Sequence, residues 1–92
     1  MEIDVIIREK IDERQGVSAR TNEQYHVVTF LGETEEYSPQ RIVFEVWDGR
    51  DGRIARLNIQ AGKKYKLFLN FEARQHEGKW YNQIRAWNAR AI

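Results

Sequence analysis

Apolar and polar residues alternate along most of this chain with the two-residue period of half-buried strands. From Glu2 to Arg14, Ile3, Val5, Ile7 and Ile11 fall on odd positions and Asp4, Arg8, Lys10 and Asp12 on even ones. Ile6 breaks the alternation and implies a stretch covered on both sides. A polar loop containing Gly16 runs to Glu23, and a second strand over 24–32 sets Tyr25, Val27 and Leu31 against Val28 and Phe30. An acidic turn region follows, with the single proline, Pro39. A third strand over 41–48 points Ile42, Phe44 and Val46 one way and Val43, Glu45 and Trp47 the other.

The run Asp48-Gly49-Arg50-Asp51-Gly52 cannot comfortably continue a strand. Asp51 is placed to cap a helical turn near 51–58 in which Ile54 and Leu57 face inward. A long strand over 63–75 then alternates Tyr65, Leu67, Leu69, Phe71 and Ala73 with Lys64, Lys66, Asn70, Glu72 and Arg74. His76-Glu77-Gly78 reads as a tight hairpin turn, and 79–89 returns as the last strand. Three strands, a short helix and a two-stranded hairpin are the succession of an all-β, five-stranded OB-type Greek-key barrel, with the helix between strands three and four. An SH3-like barrel is the nearest competitor and lacks that helix.

A chain of 92 residues is one domain, spanning 1–92, with no repeat or linker to divide it. At this size every alternating apolar position is needed for the core. Cysteine is absent, which excludes disulfides, zinc–thiolate sites and a thiol nucleophile. No cationic–apolar leader or membrane-length apolar run is present, so a cytoplasmic protein without a membrane partner is expected. The net charge of +1 hides a bipolar pattern. Residues 1–40 carry four bases against nine acids and 41–92 eleven against five, or −5 and +6. Such a pattern can present a basic face without a basic total, although charges balanced across neighbouring strands would give the same count.

Three stretches carry a resemblance: Gln15-Gly16-Val17-Ser18-Ala19-Arg20, Val43-Phe44-Glu45-Val46-Trp47-Asp48, and Gly78-Lys79-Trp80-Tyr81 through Arg85-Ala86-Trp87. Together they resemble a bacterial OB-fold family catalogued as a domain of unknown function, over nearly the whole chain. That family is in turn distantly similar to the bacterial single-stranded DNA-binding proteins, whose third strand ends in an aromatic residue followed by a glycine, as Trp47 and Gly49 do here. The resemblance implies an OB fold, base stacking on aromatic side chains and assembly into a homodimer or larger homo-oligomer. The sequence departs from the family after Arg20, where Thr21, Asn22 and Glu23 stand in place of a glycine and a tryptophan. It ends at Arg90-Ala91-Ile92, directly after the last strand, so recruitment through an acidic tail is not expected.

Single-strand binding needs aromatic faces for bases and cations for phosphates. Trp47 lies on the parity opposite Phe44 and Val46, where it can serve as a platform; the alternative is packing under the helix or in a subunit interface. Tyr81, Gln83, Arg85 and Trp87 share one face of the last strand and Trp80, Asn82, Ile84 and Ala86 the other, so at least one tryptophan is expected in the core. Trp80 and Tyr81, near the hairpin turn, join the binding candidates, since the loop between strands four and five contacts ligand in OB folds. Trp87 is assigned to structure, and Tyr25 is a weaker candidate, more at home in a core. The cations chosen are Arg20, in the first long loop, with Arg74, Lys79 and Arg85; the ordinary fate of any one of them is a solvated charge.

Catalysis has little support. His26 and His76 lack patterned metal partners, Ser18 and Ser38 lack a nucleophile context, and Gly49 and Gly52 lack the Lys-Ser or Lys-Thr of a phosphate loop. The expectation is a non-catalytic module with no cofactor or metal that binds single-stranded DNA or RNA with low sequence specificity. The alternative is a protein-interaction or self-assembly scaffold on the same barrel, and oligosaccharide binding is also within the fold's range.

Overall fold

The structure is a computed structural model that describes residues 1–49 and 51–92. Arg50, in the run expected to end the third strand, lies outside the described residues. The elements are β1 (Glu2–Val17), β2 (Gln24–Glu33), β3 (Arg41–Trp47), α1 (Arg53–Leu57), β4 (Lys64–His76) and β5 (Lys79–Ala91). All five strands belong to one sheet that closes on itself in the order β1-β2-β3-β5-β4. All neighbours are antiparallel except β3 and β5, which meet in parallel at Glu45 and Arg85. No helix among the described residues is long and apolar enough to cross a membrane.

The inward faces of the ring meet in one core of Val5, Ile7, Val28, Phe30, Phe44, Val46, Tyr65, Leu67, Leu69 and Ala86. Phe30 and Phe44 stack near its centre, ring centroids 5.6 Å apart. Ile54, Leu57 and Ile59, from α1 and the residue pair after it, pack against that core. The helix is capped differently from expectation. The Ile54 N–H donates to Asp48 Oδ1 at 2.9 Å, whereas Asp51 pairs with Arg56 at 3.0 Å. Gly52, at positive φ, occupies the cap position and makes no side-chain bond, so the carboxylate at the end of β3 reaches the free amide instead.

Strand β1 follows the expected alternation only as far as Ile7. Register shifts fall between Ile7 and Glu9 and again between Lys10 and Asp12. Each leaves an extra residue, Arg8 and then Ile11, and each exchanges the inward and outward parities. Lys10 and Glu13 therefore face the side of Phe30 and Val28, while Asp12 and Arg14 face outward with Thr29 and Val27. Ile11, expected in the core, is a bulge residue 48% exposed. Ile6, which breaks the alternation, is paired along both edges of the strand, to Glu33 and to Lys64.

The core ends at Leu69 and Ala86. Past Arg85, which still pairs with β3, the strands β4 and β5 leave the ring as a two-stranded ribbon, paired from Phe71–Ile84 to His76–Lys79, with Ile84 at its base still packed against the core. The Glu77–Gly78 turn closes it with positive φ at both residues, 51° and 79°, as a tight hairpin of this twist requires. Phe71 is consequently exposed, although its parity is that of Leu67 and Leu69. No tryptophan enters the core. Trp80 is on the ribbon, and a bulge between Phe68 and Leu69 in the register expels Trp87 onto Phe68, centroids 5.3 Å apart.

Phe44 is 0% exposed and sits where the ring has no slack to close around a void. Phe44→Ala is expected to cost about 3–5 kcal/mol, read from the urea midpoint by circular dichroism. Phe71→Ala should change the midpoint by well under half of that.

Candidate nucleic-acid interface

The outward residues of β1, β2, β3 and β5 converge on Trp47. Its Nε1–H donates to Glu45 Oε1 at 3.1 Å, and the Arg85 guanidinium lies over its ring, 4.7 Å from the centroid. Tyr25 stands beside it, ring centroids 6.3 Å apart. Tyr25 can lie there because its cross-strand neighbour is Gly16. A Cβ on Gly16 would come within 2.9 Å of the Tyr25 hydroxyl and 3.1 Å of its ring. Beneath this group Val27, directly across from Trp47, is 1% exposed.

Glu45 knits the cluster together. Its Oε1 also accepts from Gln83 Nε2 at 2.6 Å, and its Oε2 lies 3.7 Å from Arg14 Nη2. Gln83 Oε1 in turn accepts from Arg85 at 3.2 Å. Arg85 Nε is buried with no partner among the described residues, its guanidinium held by the ring and by Gln83. Trp47 is thus half-buried, with one face covered by Arg85. That replaces the free indole expected from the sequence with an Arg–Trp stack, attractive through the ring's quadrupole.

From this cluster the outward face runs onto the ribbon. Arg85, Gln83, Tyr81 and Lys79 follow at two-residue steps along β5, opposite Asn70, Glu72, Arg74 and His76 of β4. Strictly alternating side chains put all eight on one face. Tyr81 and Arg74 are direct cross-strand partners and both are exposed. Arg74 Nε lies 3.4 Å from Glu72, an exposed pair of small energetic weight. Lys79 makes no ion pair among the described residues. Arg14, Arg85, Arg74 and Lys79 on this band stand against Asp12, Glu45 and Glu72, four cations to three carboxylates.

The other candidates separate from this band. Trp80, 69% exposed, is on the opposite face of the ribbon, across from Gln75 and on the side of Phe71. Arg20 is exposed in the β1–β2 connection, its backbone N–H donating to Ser18 Oγ at 3.3 Å, and it touches none of the others. A groove of about 880 Å³ opens at that end, between Gly16, Glu23, Tyr25 and His26 on one side and Asp48 and Gly49 on the other. Among the described residues its acidic side chains are Glu23 and Asp48, and no described lysine or arginine lines it to meet a phosphate. Tyr25, weighed as a core residue, is instead part of the band. Arg14 and Glu45 were not singled out, because nothing in the order of residues marks the bulge that turns Arg14 outward.

The inward side of β1 holds a separate polar triad. The second bulge brings Lys10 and Glu13 to one face, where Lys10 Nζ donates to Glu13 Oε1 at 2.8 Å. Glu13 Oε2 and His26 Nε2 are 2.7 Å apart. The hydrogen bond from Lys10, followed by that from His26, holds the Glu13 carboxyl below its ordinary value. Among the described residues no group of three or more His, Cys, Asp and Glu is arranged to hold a metal ion.

The structure therefore defines a small all-β protein with a closed five-stranded sheet, one short helix and an aromatic–cationic band on its outer face. The chain belongs to the family described as Domain of unknown function (DUF3127), whose model matches residues 2–90. No curated protein matches it.

A carboxyl titration by NMR should place Glu13 below the ordinary glutamate value, and Lys10→Ala should raise it back toward that value. Because the native value is depressed, the associated stability is present above the unfolded-state value and is lost as pH falls through the native one. Solvent screening of this surface pair keeps that effect small.

Proposed function

We propose that this chain is a non-catalytic, OB-type module that binds single-stranded nucleic acid, DNA or RNA, with low sequence specificity. The ring order β1-β2-β3-β5-β4, with the parallel contact between β3 and β5 and the helix between β3 and β4, supports the OB assignment. It also supports the distant similarity to bacterial single-stranded DNA-binding proteins that the Trp47–Gly49 spacing suggested. A cytoplasmic location accompanies this reading.

The observation that carries the function is the continuous band from Tyr25 and the Arg85–Trp47 stack to Tyr81, Arg74 and Lys79. Flat π-surfaces at intervals, with cations between them, are what a single strand's bases and phosphates require, without base-edge readout. An arginine plane already laid on an indole offers a base a stacking surface of its own. Discrimination between bases would need fixed donors and acceptors facing the bound strand. The Glu45 and Gln83 amide and carboxylate groups are instead consumed within the cluster.

One observation favours a protein-interaction reading beside it. The far face of the ribbon exposes Phe71 at 55% and Trp80 at 69% and carries no charged residue among Phe71, Ala73, Gln75, Trp80, Asn82 and Ile84.

Anisotropy of a labelled oligo-dT at low salt tests the assignment. Trp47→Ala and Tyr81→Ala are each expected to cost about 1–3 kcal/mol of binding, while Trp80→Ala, on the far face, leaves it unchanged. Arg74→Gln and Lys79→Gln should each flatten the log–log salt dependence by about 0.7. Arg20→Gln does so only if the β1–β2 connection joins the interface. Folded protein that fails to bind oligo-dT and oligo-U at low salt would overturn the nucleic-acid reading.

A further inference from the structure

The ribbon leaves one strand edge without a neighbour. Strand β1 covers β4 only from Lys64 to Phe68, and the Met1 backbone adds Leu69. From Asn70 to His76 the side of β4 away from β5 has no partner among the described residues. Which residues aim their backbone groups outward there follows from Leu69. Its N–H donates to the Met1 carbonyl at 2.7 Å and its carbonyl accepts from the Met1 amino group at 3.1 Å, so it points away from β5. By strand alternation Phe71, Ala73 and Gln75 do the same, while Asn70, Glu72, Arg74 and His76 bond to β5.

Such an edge is a template for another strand. Its sequence selects the strand. In an antiparallel pairing with a second copy about a two-fold axis at Ala73, Phe71 meets Gln75 of the partner subunit and Ala73 meets Ala73 of the partner subunit. All of these have outward backbone groups, so the reciprocal hydrogen bonds form. Glu72 then faces Arg74 of the partner subunit, and Arg74 faces the partner's Glu72, in the non-hydrogen-bonded positions where Cα atoms approach to about 4.5 Å. The axis falls at the middle of the free stretch 70–76, so the whole edge is used.

Other two-fold registers are worse. An axis at Glu72 opposes two carboxylates and one at Arg74 opposes two guanidinium groups. An axis at Phe71 would require Arg74 to pair where β1 already covers Phe68. On the other ribbon edge, pairing β5 about Asn82 sets Lys79 against Arg85. The outer edge of β1 is distorted by its two bulges, and an axis at Ile11 would oppose Glu9 to Glu13 and Arg8 to Arg14.

We infer that the free edge of β4, residues 70–76, is a self-association site that joins two copies of this chain into an antiparallel four-stranded sheet, β5-β4-β4-β5, centred on Ala73. Both copies then place Phe71, Trp80 and Ile84 on one side of the joined sheet. Tyr81, Arg74 and Lys79 lie on the other, lengthening the aromatic–cationic band across the two-fold axis. A seven-residue strand pairing is a small interface, of the kind seen in transient assemblies. The inference does not depend on nucleic-acid binding.

Sedimentation equilibrium without nucleic acid tests it by charge exchange. The unmodified chain should dimerise at high micromolar concentration. Glu72→Arg and Arg74→Glu, each of which replaces two attractive cross-strand contacts with two repulsive ones, should each weaken the dimer by about tenfold or more. The double variant Glu72→Arg/Arg74→Glu should restore it, which also shows that the single variants did not fail by misfolding. Ala73→Cys, in a chain that has no cysteine, should oxidise to a disulfide dimer, because directly opposed residues on an antiparallel pair fall within disulfide reach. Tyr37→Cys, on an exposed loop, should not oxidise at a comparable rate. A monomer throughout, single variants that dimerise as the unmodified chain does, or a double variant that stays monomeric would overturn the assignment. Loss of oligo-dT binding with dimerisation intact would count against the nucleic-acid reading alone.

Discussion

Strand β1 has to pair along both edges near its start, to β4 up to Ile6 and to β2 from Ile6 onward, and the rest of the structure depends on that double engagement. A chain this small cannot leave one face of a sheet unpacked and still bury enough apolar surface to fold. Closing the sheet turns its inner faces onto one another around Phe44, Val46, Leu67 and Leu69. Closure needs a sharp bend where β1 passes from one partner to the other. The first bulge, at Arg8, lies directly after that passage. Ile7, just before it, is 0% exposed, and its backbone bonds to Gly62 and Lys63 help to tie in the segment that leads into β4.

The bulges also set the chemistry of the two faces. Each inserted residue exchanges the side to which the following residues point. Arg14 reaches Glu45 on the outside, and Glu13 sits under Lys10 and His26 on the inside, because two such exchanges precede them. The Trp47 cluster is then a consequence of neighbouring strands contributing to one patch: β1 gives Arg14 and the bare backbone of Gly16, β2 gives Tyr25 and Val27, and β5 gives Gln83 and Arg85. Glu45, Gln83 and the Arg85 guanidinium hold one another and the ring, so the indole is kept in place by its neighbours and not by burial in the core.

Where the ring ends, the same pair of strands carries on with no third layer to cover it. That is why an aromatic residue of core parity, Phe71, is solvent-exposed, and why one ribbon has an uncharged aromatic face and a charged one. Protruding ribbons of this kind have few ways to become rigid: pairing along an edge, packing on a face, or contact with a ligand. The charge order Glu72-Ala73-Arg74 makes the first of these available with a copy of the same chain.

Much of the architecture was written in local periodicity. Alternation placed the five strands and the helix to within about three residues at each end, because inward and outward positions differ in hydrophobicity wherever one side is packed. Trp47 was placed on the outer face for the same reason, and the Glu77–Gly78 turn was legible from residue type. Hidden from that reading were the positions at which periodicity fails. Ile11 was assigned to the core and Arg14 passed over because a bulge has no residue signature in a strand of mixed charge. Trp80 was grouped with Trp47 because sequence nearness to the turn does not say on which face of a ribbon a residue falls. A tryptophan was expected inside because the end of the core at Leu69 and Ala86 is set by where β1 stops covering β4, not by any change in the alternation of β4 itself. The sequence by itself determined which segments extend and which of their faces are apolar, since those are nearest-neighbour properties of the backbone. Only the tertiary structure decided where the sheet bends, where its core stops and which charges meet, since these depend on closing the ring between β1 and β4, strands more than fifty residues apart.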